Sequence, residues 1–452
     1  MAKIVIIGAG SGFGSRLSID IMSREALRDS TICLCDLHEG RLKRVTEYIK
    51  ATVEKYHLPT RIESSTDRTK LLPGADFVIT SVAVGGGAYY GFPFREEMEI
   101  PRKYGVDQAV ADSYSVGATF RLLRTGPVQL QICRDIEQYC PNAWLLNHTN
   151  PMVGLTMLHS LGSSVKNVGI CHGVQTTAHE VAEFLGLKDE KVTYRVAGIN
   201  HLAWFLELQR TDSGKDLYPL LRQTLANPQT EAQKEFLTRE AVRIEILNQF
   251  GYFPTESNHH DSEYLPYFRR TPELIAHYHL TANRPIPDKL SGMMARDWMK
   301  DSVDGEAQIT GELALSREYT SGIMEGILTD RPFRFNGNVM NRGLITNLPS
   351  KLCVEVPCFA DRYGVNPTVV GDLPTHLAGF DHAVAVCVQL AVEAILEKNR
   401  EKAFWAVALD PNVAATCSLD SIRAMFDELW AAEGDLMEWF WKDRVTERYA
   451  LD

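Results

Sequence analysis

In the first part of the chain, segments with two different patterns of apolar and polar residues follow each other in turn. Short, uninterrupted runs of Val, Ile and Leu alternate with longer segments in which apolar residues recur every three or four positions. The runs predict strands buried on both faces, and the longer segments predict amphipathic helices. The predicted strands are KIVIIGAG, STICLCDL, ADFVITSV, AWLLNHTNP and VKNVGIC. Repeated strand–helix units of this kind predict a doubly wound parallel sheet.

The pattern changes after residue 195. The segment KVTYRVAGINHLAWFLELQR predicts two strands that break at Gly198–His201, and a long helix is predicted over 231–250. The remaining predicted elements are the strands FRFNGNV and LCVEVPCF and closing helices over 377–409 and 418–435. We therefore predict an α/β protein with a Rossmann-like domain over 1–195. An α+β domain over 196–452 would supply substrate, metal and oligomer contacts.

Charge and cysteine usage narrow the class of protein. The net charge of −11 argues against binding to nucleic acid or to an anionic membrane. Nine cysteines without CxxC spacing are typical of reduced thiols in the cytosol. No apolar run approaches the roughly 18 residues of a membrane span. We expect a cytoplasmic protein with no nucleic-acid or membrane partner.

The chain opens with a glycine loop, IVIIGAGSGFG, between a predicted strand and a helix. Gly8 and Gly10 would let backbone N–H groups approach a pyrophosphate, although the third glycine of the dinucleotide fingerprint falls at Phe13. Asp36 ends the second strand, where an acid suits the ribose hydroxyls of NAD and repels the extra phosphate of NADP. A second loop, SVAVGGG, would place Val84 beside the cofactor.

Polar side chains gather where predicted strands end, which is where a doubly wound sheet binds its ligands. Cys171 and His201 are such residues, and a thiolate with an imidazole suits Mn²⁺, Fe²⁺, Co²⁺ or Zn²⁺. We expect the helix behind Cys171 to lower the pKa of its thiol. His148 and His259 are interpreted as structural or supporting groups.

Six motifs stand in an order and spacing that are specific as a set. They are GAGS (8–11), NHTNP (147–151), GICHGVQ (169–175), GINHLAWF (198–205), SEYLPYF (262–268) and NLPSKLCVEVPCFAD (347–361). Over essentially the whole chain, the sequence resembles the NAD- and metal-dependent glycosidases of glycoside hydrolase family four. The resemblance implies a Rossmann-like domain of the lactate/malate dehydrogenase kind, NAD and Mn²⁺ as cofactors, and a homodimer or homotetramer.

The resemblance also implies a route that departs from the two-carboxylate hydrolysis of most glycosidases. Hydride would pass from C3 of the sugar to NAD⁺, and the resulting ketone would acidify the proton on C2. A base would remove that proton while the metal ion acts as a Lewis acid. Elimination of the aglycone, addition of water and return of the hydride would complete hydrolysis without net NADH.

Residue roles follow from the motif match. Cys171 and His201 are implied to be the metal ligands. Tyr264 matches the base, and a phenol with a pKa of about 10 needs a nearby cation to act as one. His172 occupies the position of the acid that protonates the leaving group. Asp261 is a rival for the base or for an outer contact to the metal.

Three further positions take roles from the same match. Ser11 belongs to the cofactor loop, Asn150 would bind sugar hydroxyls, and Asp112 would also lie at the substrate. CHGVQ resembles the branch that acts on unphosphorylated sugars, and α-galactosides are the best match. An α-glucosidase, an α-galacturonidase or an α-glucuronidase of the same family are the alternatives. A metal-free NAD-dependent 2-hydroxy acid dehydrogenase is the rival from another class.

Overall fold

The computed structural model describes residues 1–85, 91–281 and 311–442. Within these ranges, eleven strands form one sheet. The strands are β1 (Lys3–Ile7), β2 (Thr31–Cys35), β3 (Arg61–Ser65), β4 (Phe77–Thr80), β5 (Trp144–Asn147), β6 (Lys166–Gly169), β7 (Val192–Ile199), β8 (Leu202–Arg210), β9 (Phe333–Met340), β10 (Cys353–Asp361) and β11 (Gly364–Pro367).

The α-helices within the same ranges lie mainly between and after these strands. They are α1 (Gly12–Ser23), α2 (Glu39–Lys55), α3 (Phe94–Lys103), α4 (Val116–Tyr139), α5 (Met152–Gly162), α6 (Gly173–Phe184), α7 (Tyr218–Ala226), α8 (Glu231–Arg239), α9 (Ala241–Phe250), α10 (Asn258–Tyr264), α11 (Pro272–His277), α12 (Thr320–Thr329), α13 (Thr375–Glu397), α14 (Arg400–Ala408), α15 (Pro411–Thr416) and α16 (Leu419–Glu433).

The first six strands are parallel and stand in the order β3-β2-β1-β4-β5-β6. This is the strand order of the doubly wound dinucleotide-binding fold, so the predicted fold class is confirmed. The strand β3 was not predicted from the sequence. Its residues, RIESS, are polar and only partly buried because β3 lies at the edge of the sheet.

The sheet continues beyond β6 through β9, β10, β7 and β8, which pair antiparallel. The two strands predicted over KVTYRVAGINHLAWFLELQR are β7 and β8, joined by a turn at Asn200–His201. The predicted boundary between residues 195 and 196 falls inside β7. The two predicted domains therefore share one sheet, and their division stays a prediction.

Two predicted helices are each divided in the structure. The helix predicted over 231–250 is α8 and α9, which separate at Glu240, where the buried carboxylate accepts from Arg243 at 3.0 Å. The helix predicted over 377–409 is α13 and α14. Lys398 takes a left-handed backbone conformation there, and the side chain of Asn399 caps α14. At Glu240 and at Lys398 the backbone leaves helical geometry, although the apolar periodicity continues.

The helix α13 lies in the protein core. It packs against α4, α5 and α14. Among the described helices it is the one long and apolar enough to cross a membrane, and half of its most apolar window is buried inside the protein. A core helix passes the same test, so this helix is weak evidence for a membrane, and the expectation of no membrane partner stays a prediction.

Two neighbouring residues of α13 allow a matched test of this packing. Ile395 is fully buried and lies close against Gly126 of α4, whereas Leu396 is 39% exposed. We expect Ile395→Ala to lower the free energy of unfolding by about 2–5 kcal/mol through a cavity, and Leu396→Ala by less than about 1 kcal/mol. Urea denaturation measures both, and equal losses would contradict this packing.

Candidate active site

The glycine loop turns tightly between β1 and α1. Gly8 has a φ of +86°, and a Cβ there would come within 2.0 Å of the Ser81 carbonyl oxygen. The backbone N–H of Gly10 donates to Asp36 Oδ2 at 2.8 Å, and a Cβ at Gly10 would meet the same carboxylate. Glycine at both positions is therefore required by the close approach of neighbouring chain segments.

Gly14 takes the part of the third glycine in the dinucleotide fingerprint. A Cβ on Gly14 would come within 2.0 Å of the Ala9 carbonyl oxygen, so only glycine lets α1 pack this closely on the turn. Phe13 instead packs on the ring of His148, with 5.1 Å between ring centroids. The spacing in this chain is therefore one residue longer than in the fingerprint, which the sequence alone left unresolved.

The other residues predicted at the cofactor meet at the same edge of the sheet. Asp36 Oδ1 also accepts from the backbone N–H of His38 at 2.8 Å. The hydroxyls of Ser11 and Ser81 lie 3.3 Å apart, and Val84 is buried in the segment that follows β4. The carboxyl ends of β1, β2 and β4 thus lie at one edge of the sheet beside the start of α1.

A second cluster lies at the carboxyl end of β6. Cys171 Sγ is 3.2 Å from His201 Nε2 and 3.6 Å from Glu256 Oε1, and the last two atoms are 3.3 Å apart. Cys171 follows β6, His201 lies in the turn between β7 and β8, and Glu256 precedes α10. We call these three residues the thiol cluster. The structure thus brings the two predicted metal ligands together and adds a carboxylate.

A chain of hydrogen bonds orients the imidazole of His201. The Ser113 hydroxyl donates to Asp112 Oδ1 at 2.9 Å, and its oxygen lies 2.7 Å from His201 Nδ1. Because the hydroxyl has one proton and gives it to the carboxylate, His201 Nδ1–H donates to Ser113. The lone pair on Nε2 then faces Cys171 and Glu256. Asn150 donates to Asp112 Oδ2 at 3.1 Å.

Glu256, His260 and Ser113 are site residues that the sequence did not single out. The segment TESNHHDSEYLPYF offered several polar groups with no periodicity to choose among them. His260 lies between Glu256 and Asp112, with ring nitrogens 3.6 and 3.7 Å from their carboxylates. The sequence contained one indication of Glu256, which is the glycine in CHG. A Cβ at Gly173 would come within 2.1 Å of Glu256 Oε1, so this glycine makes room for the carboxylate.

The electrostatics of the thiol cluster correct one expectation. Burial and the Glu256 charge raise the pKa of the Cys171 thiol well above its ordinary value, although the Gly173 N–H opposes this shift. The predicted lowering by the helix is therefore wrong, because desolvation and a neighbouring carboxylate outweigh it. Burial works against the charged forms of Asp112 and Glu256, but the neighbouring imidazoles, His260 among them, outweigh it, and the pKa of each carboxyl is lowered. Burial also lowers the pKa of His201, in keeping with its neutral form.

Tyr264 and Asp261 lie on α10 and are both buried. Burial, together with the charges of Asp112 and Glu263, raises the pKa of Tyr264 well above its ordinary value. Burial also raises the pKa of Asp261 well above the ordinary carboxyl range. Burial therefore disfavours the charged form of both side chains. A nearby cation would favour that form and make either group a better base.

The nearest partner of His172 lies outside the thiol cluster. Its side chain is half exposed, and Nδ1 lies 3.3 Å from Glu318 Oε1. The hydrogen bond to Glu318 raises the pKa of His172, and burial opposes that shift. Arg16 Nη1 of α1 lies 3.7 Å from the same Glu318 oxygen. Cys171 and His172, adjacent in sequence, therefore have different nearest partners.

The thiol cluster suits a divalent transition metal. Its three ligand atoms lie within 4.8 Å of one another, and thiolate, imidazole and carboxylate all ligate such ions. Several buried polar atoms nearby make no hydrogen bond of normal geometry to a described residue. They are Asn200 Oδ1, Tyr264 Oη, both Asp261 oxygens, Glu318 Oε2 and Glu355 Oε1. Unsatisfied groups at this density indicate a site built for further partners.

Comparison with known families agrees with this arrangement. The chain matches the family model of the family 4 glycosyl hydrolases over residues 3–187 and that of their C-terminal domain over residues 196–413. The chain belongs to glycosyl hydrolase family 4. The family expected from the six motifs is therefore confirmed, and the dehydrogenase alternative loses its support.

Relatives within family 4 are similar over most of their length. An α-galactosidase of Bacillus subtilis is 37% identical, over 96% of this chain and 99% of the relative. An α-galactosidase of Rhizobium meliloti is 36% identical, over 95% and 88%. A solved 6-phospho-α-glucosidase from gut microorganisms, in complex with NAD and Mn²⁺, has a TM-score of 0.81 at 19% identity, over 96% and 98%. At 19% identity, the similarity to the 6-phospho-α-glucosidase is evidence for the fold alone.

Proposed function

We propose that the protein hydrolyses unphosphorylated α-galactosides with NAD and Mn²⁺ as cofactors. One observation carries the proposal: a thiol, an imidazole and a carboxylate converge at the sheet edge that also carries the glycine loop. The two α-galactosidases, at 37% and 36% identity, support this choice of substrate. The gut 6-phospho-α-glucosidase of the same fold holds NAD and Mn²⁺, which supports the choice of cofactors.

Separate parts of the sheet edge would hold the two cofactors. Cys171, His201 and Glu256 would hold the metal ion, with His201 oriented by the Ser113 hydroxyl. The glycine loop would hold the pyrophosphate of NAD, and Asp36 would accept from the ribose hydroxyls. When bound, NAD supplies reversible oxidation of the sugar at C3, and the metal ion supplies a Lewis acid for the oxygens at C2 and C3.

We assign the removal of the C2 proton to Tyr264. The charge of Asp112 is one reason why its pKa is high, and a divalent cation at Cys171 opposes that charge. The phenol thereby becomes easier to deprotonate in the loaded enzyme. Asp261 stays the rival base, since it is buried nearby without a hydrogen bond from a described residue to its carboxylate.

His172 suits the role of the acid that protonates the leaving group. Its hydrogen bond to Glu318 favours the imidazolium form, which has a proton to give. Its half-exposed side chain lies where a leaving aglycone could reach solvent. A position that is open to solvent would accommodate uncharged leaving groups of different sizes.

The groups around the site suit the hydroxyls of an uncharged sugar. Asp112 and Glu256 have lowered pKa values and are ionised at neutral pH. Asn150 and Asp112, which contact each other, could both bind hydroxyls of the sugar ring. The alternatives within family 4 are represented by an α-glucosidase and an α-galacturonidase at 30% and 27% identity.

The cellular context belongs to the same proposal. We propose a cytoplasmic enzyme that works as a homodimer or homotetramer, in keeping with its reduced cysteines and with the family resemblance.

Activity on a panel of glycosides tests the proposed function. Purified protein with NAD⁺, Mn²⁺ and a thiol reductant should hydrolyse p-nitrophenyl α-galactoside without accumulating NADH, because each hydride returns to the sugar. Absorbance at the nitrophenolate and NADH wavelengths follows both quantities. Faster hydrolysis of the α-glucoside or of an α-uronide would overturn the choice of sugar. Steady NADH formation from a 2-hydroxy acid would indicate the dehydrogenase instead.

Proton release on metal binding tests the thiol cluster without measuring activity. Since the pKa of Cys171 is raised, the metal-free protein carries the thiol at pH 7, whereas a metal ligand must be the thiolate. We expect Mn²⁺ binding to release about one proton and its affinity to rise about tenfold per pH unit below that pKa. Calorimetry in buffers of different ionisation enthalpy measures the proton.

A matched variant separates the thiol from the other ligands. Cys171→Ser should lose both the proton release and most of the Mn²⁺ affinity, because serine is not deprotonated at neutral pH, while NAD⁺ still binds at the glycine loop. Unchanged Mn²⁺ affinity in Cys171→Ser would show that Cys171 is not a ligand.

A further inference from the structure

The segment after β4 is fixed by a buried arginine that belongs to no part of the site described above. Arg124 of α4 is 4% exposed, and its Nη1 donates to the carbonyl oxygen of Val84. The next residue, Gly85, has a φ of +93°, and a Cβ there would come within 2.4 Å of Pro93. The chain at 84–85 is therefore held from two sides, by a guanidinium and by the residue that precedes α3.

The guanidinium is itself held in one orientation. Arg124 Nε donates to Glu97 Oε1 at 2.9 Å, and Nη2 donates to Glu97 Oε2 at 3.1 Å. Glu97 lies in the first turn of α3 and is fully buried. A two-pronged contact of this kind fixes the plane of the guanidinium as well as its position. A lysine carries its donors on a single nitrogen, so it could not reach both Glu97 oxygens and the Val84 carbonyl with the planar geometry of the guanidinium.

A second buried carboxyl group extends the contact to the last long helix. Glu433 ends α16, is 1% exposed, and has Oε2 at 3.8 Å from Arg124 Nε. Burial and the charge of Glu97 raise the pKa of Glu433 well above its ordinary value. The charged form of Glu433 is therefore disfavoured beside Glu97, and Glu97 remains the closer partner of the guanidinium. Three helices, α3, α4 and α16, meet at this guanidinium.

We propose that Arg124 is a positioning residue that sets the affinity for NAD by fixing the Val84 carbonyl, with Glu97 as its support. Val84 follows β4, the strand beside β1, so its backbone adjoins the edge that carries the glycine loop. The inference rests on the proposed function in one respect, namely that NAD binds at this edge. Arg124 itself would touch neither the cofactor nor the substrate.

Calorimetry of the full chain with NAD⁺ and, separately, with Mn²⁺ tests the role of Arg124. We expect Arg124→Lys to weaken NAD⁺ binding roughly tenfold, the size of one lost charge-assisted hydrogen bond, and to leave Mn²⁺ affinity unchanged. Hydrogen exchange of the amides at 81–85 should become faster in the variant, while that of β2 stays as in the wild type. Equal NAD⁺ affinity in the two proteins overturns the proposal.

Arg243→Lys provides the matched control. Arg243 is also a buried arginine, and it contacts Glu180 and Glu240 at 3.0 Å away from the glycine loop. This variant should lose thermal stability and keep its NAD⁺ affinity, and an equal loss of affinity would show a general effect of buried arginines.

If Arg124→Lys does not fold, Glu97→Gln provides a second variant. It keeps the shape of the Glu97 side chain that supports Arg124, and it should also weaken NAD⁺ binding. Wild-type protein that binds no NAD⁺ overturns the proposed function itself.

Discussion

The site depends on a single constraint, which is that several ionisable groups share a buried edge where their charges must balance. Asp112 and Glu256 are ionised there, and the thiol of Cys171 stays protonated because burial and the charge of Glu256 disfavour the thiolate. In the proposed enzyme, a divalent cation would accept the thiolate and offset the neighbouring carboxylates. The same cation would make Tyr264 easier to deprotonate. Metal affinity, thiol ionisation and the strength of the proposed base would therefore be linked.

The fold creates this constraint by bringing distant segments to one edge. The end of β6, the turn between β7 and β8, and the start of α10 each contribute one member of the thiol cluster. The relay from Asp112 through Ser113 fixes which nitrogen of His201 faces the cluster. On the same edge, the glycine loop makes the tight turn that would hold the pyrophosphate of NAD. An antiparallel extension of the sheet holds the two halves of the site together.

Features that depend on residues close together in the chain were predicted from the sequence, whereas features that depend on contacts between distant segments were missed. Buried parallel strands, the glycine loop and the family were predicted, because uninterrupted apolar runs and motif spacing are local signals. Cys171 and His201 were predicted as partners, and the structure places them 3.2 Å apart. Glu256 and Ser113 were not singled out, since their roles arise from contacts between segments far apart in the chain. The predicted lowering of the Cys171 pKa was wrong for the same reason, because an argument from the neighbouring helix alone cannot include the charge of Glu256.

Secondary-structure errors had similar causes. The edge strand β3 carries polar residues and gives no apolar signal, and the helix breaks at Glu240 and Lys398 are set by single side-chain or backbone contacts. The position of the third glycine also needed the structure, because Gly14 is identified by its contact with the Ala9 carbonyl. These features determine the local shape of the sheet edge that carries the site, whereas the apolar pattern determines that a parallel sheet forms.

The fate of the hydrogen on C2 of the sugar tests the central claim most directly. Hydrolysis of an α-galactoside in D₂O, followed by NMR of the released sugar, reports whether a base removes that hydrogen during turnover. We predict deuterium at C2 and retained hydrogen at C3, because the C2 proton would exchange with solvent while the cofactor would return the C3 hydride. Released galactose that keeps its original hydrogen at C2 through complete turnover would contradict the elimination route and the role given to the buried edge.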